Sequence, residues 1–91
     1  MDINNYSYTN NRTISTYKAS YEDIDNNKII FFDDELDFFG ERVLHVYNVL
    51  GDEDDYFPYH PVYGDNYRIA YEKAARFYNT LVPEENAIPL F

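Results

Sequence analysis

Asp52, Glu53, Asp54 and Asp55 stand in a row and run into a ring-rich stretch, Tyr56, Phe57, Tyr59, His60 and Tyr63, stiffened by Pro58 and Pro61. Four adjacent carboxylates could hold a divalent cation, but the spacing is wrong for a calcium loop. Counting from Asp52, the sixth position is Phe57 rather than Gly and the twelfth is Tyr63 rather than Glu. A two-metal site would draw its acids from separate elements, whereas these are local in sequence. His45 and His60 could join a carboxylate in zinc or acid–base chemistry. With no third His and no HExxH spacing, they read instead as an exposed residue and a loop residue beside Pro61. Gly40, Gly51 and Gly64 stand alone, so no phosphate-cradling loop exists, and no Ser or Thr has a base in a recognisable arrangement. Stacking of nucleobases on Tyr56, Phe57, Tyr59, Tyr63 and Tyr67 is opposed by the adjacent acids and by the lack of a basic groove. No catalytic residue, metal or cofactor is expected, and the chain reads as a non-enzyme.

What remains is charge as a surface. Residues 20–55 hold twelve acids against Lys28 and Arg42, so this stretch carries a balance of −10, equal to the whole net charge. Direct nucleic-acid binding is thereby excluded, and encounter with basic partners is favoured. Asp33, Asp34, Glu35, Asp37, Glu41, Asp52, Glu53, Asp54 and Asp55 are the predicted phosphate-mimicking set, with Glu22, Asp23 and Asp25 as a secondary group. The alternative is a solvated acidic face that serves solubility, with function carried by an aromatic surface of a structural or adaptor protein. Tyr56, Phe57, Tyr59 and Tyr63 are the predicted anchor, for the core, a partner or a homodimer.

The elements expected to position these residues are a hairpin and two helices. Residues 1–11 lack a period and read as a flexible lead-in or short edge strand. The β-prone stretches 12–21 and 28–32, separated by Asp25-Asn26-Asn27, predict a β-hairpin over about 12–32. From Phe32 the apolar residues Phe32, Leu36, Phe39, Val43, Val46 or Tyr47, and Leu50 recur at steps of three and four, predicting a helix over about 34–50. Such a helix puts Asp34, Asp37 or Phe38, Glu41, His45 and Asn48 on the opposite, solvated face, where carboxylates recur about every 5 Å. The rival is a short helix over 34–39 followed by a strand over 41–49. Tyr67, Ala70, Tyr71, Ala74, Phe77, Tyr78 and Leu81 predict a second helix over about 66–81, with Asp65 as N-cap and Pro83 as stop. Ile88, Leu90 and Phe91 are expected to fold back on the core.

The 91 residues, 45% hydrophobic and 20% aromatic, suit one small α+β domain spanning 1–91. There is no Cys, signal-peptide pattern or long apolar run, which predicts a cytoplasmic protein without a membrane segment. Eighteen aromatic rings exceed what so small a core encloses, so a homodimer is expected. In size, acidity, ring content and lack of catalytic motifs, the chain resembles the small acidic DNA-mimic inhibitors that phages and plasmids encode against restriction nucleases or CRISPR effectors. That class shares surface charge rather than a motif, and ten Asn residues fit an A/T-rich genome. The resemblance implies an inhibitor that occupies the basic nucleic-acid channel of a host defence enzyme.

Overall fold

The computed structural model describes residues 20–90. Four strands, β1 (Tyr21–Asp23), β2 (Lys28–Leu36), β3 (Arg42–Asn48) and β4 (Asp54–Pro58), form an antiparallel meander in chain order, followed by one helix, α1 (Tyr67–Asn79). The helix predicted over 34–50 is absent. Residues 34–36 finish β2, residues 37–41 turn the chain, and β3 runs back along β2 with Phe32 opposite Val46 and Asp34 opposite Leu44. The predicted two-helix architecture is therefore wrong. The expected hairpin is seen only as the β1–β2 pair; its part at 12–19, the lead-in at 1–11 and the contact of Phe91 lie outside the described residues.

The period misleads because Val43, on one face of β3, is buried like Leu44 and Val46 on the other. Val43, Leu44 and Val46 are all buried, so the strand lacks the clean alternation of a half-solvated one, and its apolar run mimics a helical stripe. The turn between β2 and β3 has its own chemistry. Asp37 begins it, the Gly40 N–H donates to the Asp37 carbonyl at 3.0 Å, and Gly40 takes φ +83°, a left-handed conformation that costs a side-chain-bearing residue. Asp37 Oδ1 also accepts from the N–H groups of Phe39 (2.8 Å) and Glu41 (2.9 Å), which closes the loop.

At the other end of the sheet, Asn48 is 5% exposed and uses every hydrogen-bonding site on its amide. Oδ1 accepts from the N–H groups of Ile29 (2.9 Å) and Leu50 (3.1 Å), while Nδ2 donates to the Asn27 carbonyl (2.9 Å) and Glu53 Oε1 (3.0 Å). One side chain thus ties the β1–β2 turn, the start of β2 and the β3–β4 turn together. The helical reading put it on a solvated face.

Helix α1 lies across one side of the sheet. Its N-cap is Asn66, whose side chain accepts from the Ile69 N–H, one residue later than the predicted Asp65. Ala70 and Ala74, one turn apart and fully buried, let the helix backbone approach Ile30, Leu44 and Val46 closely, and Tyr78 and Leu81 complete the core. The chain beyond the helix folds back: Asn79 donates to the Ile88 carbonyl and accepts from the Ile88 N–H at 3.0 and 2.8 Å. No helix among the described residues is long and apolar enough to cross a membrane.

Candidate functional site

Strand alternation sends Ile30, Phe32, Leu44, Val46 and Phe57 toward the helix and their neighbours to the other face. No described element packs on that second face. It carries Phe31, Asp33 and Glu35 from β2, Val43, His45 and Tyr47 from β3, and Asp54 and Tyr56 from β4.

The rings form a ladder across three strands. Phe31 stacks on Tyr47 at 5.3 Å, Tyr47 on His45 at 4.1 Å and His45 on Tyr56 at 4.1 Å, with interplanar angles of 16°, 25° and 11°. Carboxylates flank this ladder. Asp33 accepts from the Tyr47 hydroxyl at 3.0 Å, Glu35 Oε2 lies 3.0 Å from His45 Nδ1, and Asp54 Oδ1 lies 2.7 Å from His45 Nε2. An imidazole can donate to carboxylates at both nitrogens only as the imidazolium. The two carboxylates sit on opposite edges of the ring and do not converge on one point, and the described residues contain no group of metal-ligating side chains that could hold an ion. Desolvation of the ring, then the Asp54 and Glu35 charges, push the Tyr56 hydroxyl pKa up.

The predicted acids are divided among three settings. Asp33, Glu35 and Asp54 share the open face, with Glu22 opposite Ile29 on the same side of β1. Asp34 faces the helix side, where the Tyr59 hydroxyl donates to both its oxygens at 2.8 and 2.9 Å and Arg42 Nη2 reaches it at 3.4 Å. Asp55 is also on that side, exposed, and accepts from the Tyr56 N–H. Turns hold the rest: Asp37 organises the β2–β3 loop, Glu41 ends it, Asp52 and Glu53 lie between β3 and β4, and Asp23 and Asp25 flank the first turn, with Asp23 accepting from Asn26. Hydrogen bonds from its own backbone and then from Asn48 hold the Glu53 carboxyl below its usual range.

The predicted aromatic anchor also divides. Phe57 packs on Phe77 at 6.0 Å within the core, Tyr59 is held by Asp34 and edge-on to Tyr67, Tyr56 ends the ladder, and Tyr63 is exposed. His60 organises the β4–α1 loop, its Nδ1 accepting from the N–H groups of Val62 and Tyr63 at 2.9 and 3.1 Å. The sequence reading placed Phe31 only within the β-prone run 28–32, Tyr47 as an alternate to Val46 in the helical stripe, Phe38 as an alternate to Asp37 on the solvated face, and His45 as an exposed helix residue. The signal for the first two, with His45, is period two: Phe31-x-Asp33-x-Glu35 against Val43-x-His45-x-Tyr47. Phe38 and Phe39, the latter assigned to the apolar stripe, stand at the β2–β3 tip 94% and 82% exposed.

No family model, curated protein or solved structure matches this chain.

Proposed function

We propose that the protein is a non-enzymatic inhibitor that presents the acidic open face of its sheet to the basic nucleic-acid-binding cleft of another protein, in place of a phosphate backbone. The observation that carries this reading is the separation of charge between the two layers. The strands and turns of residues 20–58 hold twelve acids against Lys28 and Arg42, whereas α1 holds Arg68, Lys73 and Arg76 against Glu72. The helix covers one side of the sheet, and the side on which no described element packs carries Glu22, Asp33, Glu35 and Asp54 with no Lys or Arg among its strand residues. Its carboxylates are held by hydrogen bonds to rings on rigid strands, so little ordering entropy is lost on docking.

The test is cleavage of plasmid DNA by purified restriction endonucleases and RNA-guided nucleases in the presence of the protein. Inhibition is expected for at least one nuclease at 50 mM salt and is expected to weaken steeply by about 300 mM, as phosphate contacts do. Glu22→Lys combined with Asp33→Asn and Asp54→Asn, three carboxylates of the open face, is expected to abolish it while far-UV circular dichroism stays unchanged. Inhibition undiminished in that triple variant would sink the reading.

One observation favours a second reading, an adaptor that binds through rings while the acids keep it soluble: exposed Phe38 and Phe39, edge-to-face at 5.3 Å. Partner binding that Phe39→Ala weakens equally at low and high salt would select it.

A further inference from the structure

We propose that the groove beside the β2–β3 tip receives an arginine side chain of the basic partner. This rests on the binding reading above and adds the residue that the face recognises. The groove, of about 500 Å³, has an apolar floor of Leu36, Val43 and Pro58, ring walls from Phe38 and Tyr56, and carboxylates at Glu35 and Asp37. These parts match the parts of arginine. A long apolar stem lies on an apolar floor while its cationic head stays at the polar edge. A planar, weakly hydrated guanidinium stacks on rings and forks onto carboxylate oxygens, which a lysine ammonium does less well.

The groove's polar atoms are poised for this. Glu35 uses Oε2 toward His45, and Asp37 uses Oδ1 for two backbone N–H groups, so each keeps a second oxygen without a partner among the described residues. Tyr56 has one face on His45 and is still 53% exposed. Phe38 is 94% exposed, with the Phe39 ring edge-on beside it. Burying that ring requires an outside group, and the carboxylates beside it select a cationic one. A second copy of the chain is disfavoured because each copy carries −10.

The experiment is isothermal titration of the full chain at 50 mM salt with three capped tripeptides of equal length: tri-arginine, tri-lysine and tri-citrulline. Tri-arginine is expected to bind at least about threefold tighter than tri-lysine, and tri-citrulline not to bind measurably. Phe38→Ala is expected to weaken tri-arginine binding about three- to tenfold while leaving the Tm unchanged, since the ring packs on no core residue. Glu35→Gln is expected to weaken it more than Asp25→Asn, which removes the same charge at a turn far along the sheet. If the Glu35 variant loses stability through its His45 contact, the Phe38 variant and the peptide comparison carry the test. Equal affinity for tri-arginine and tri-lysine, unaffected by Phe38→Ala, would overturn the groove and leave the acidic-face reading standing. Failure of both cationic peptides to bind would overturn both.

Discussion

His45 sits between two rings and two carboxylates, and its stacking and its hydrogen bonding can be separated by substitution. His45→Phe keeps a ring between Tyr47 and Tyr56 but leaves Glu35 and Asp54 facing an apolar edge. Asp54 is half exposed and rehydrates at little cost, so the expected loss is about 1 kcal/mol, read as a lower urea midpoint with an unchanged slope. Glu53 supplies a pH-dependent contribution of fixed sign. Its carboxyl pKa is lowered in the folded protein, so its charged form stabilises the β3–β4 turn above the unfolded pKa, and that stability is lost as pH falls through the lowered value. Wild type is expected to exceed Glu53→Gln in Tm at pH 7, and the gap to close on acidification below pH 4. A gap independent of pH would reject the hydrogen-bonded Glu53 carboxylate as its source.

At the scale of elements, Asn48 joins three segments through four hydrogen bonds. Asn48→Leu is expected to cost roughly 2 kcal/mol or more in denaturant unfolding, because four hydrogen bonds are lost at a buried side chain and the part-buried Ile29 N–H and Asn27 carbonyl lose their partner. Gly40 distinguishes the observed turn from the helix that the apolar spacing suggested. In a helix interior Gly40→Ala would stabilise by up to about 1 kcal/mol, whereas at φ +83° it is expected to destabilise by about 1 kcal/mol. Legibility followed the same divide. Helix α1 could be read from Tyr67, Ala70, Ala74 and Tyr78, because only one of its faces is buried and the period survives. The β2–β3 hairpin could not be read from spacing, since Val43 is buried on the open face and Leu44 and Val46 under the helix. The pair Asp37 and Gly40, three residues apart, was the overlooked turn signal. The same mistake scattered the site: a helical wheel puts Asp34 with Glu41, whereas strand alternation separates Asp33 from Asp34 and gathers Asp33, Glu35, Asp54 and His45 on one face.

For the whole molecule, sign of salt dependence distinguishes the modes of association. Complexes with a basic partner weaken as salt rises, whereas association of two copies through Phe38, Phe39 or Tyr63 must overcome repulsion between −10 chains and strengthens. The homodimer expected from ring content is therefore to be sought by light scattering at 50 and 500 mM salt, with a larger mass at the higher; a dimer that dissociates as salt rises would be held by charges rather than by these rings. The ring ladder on the open face has a consequence of another kind. An imidazole lying flat between Tyr47 and Tyr56, 4.1 Å from each, sits in the shielding cone of two ring currents. Its carbon-bound protons should resonate well upfield of those of His60, whose one ring neighbour among the described residues, Tyr63, is tilted and at 5.1 Å. The protein thus contains two histidines in a chain without tryptophan, one a magnetic sensor of the open face and the other its internal reference, so that whatever displaces Tyr56 announces itself without any label.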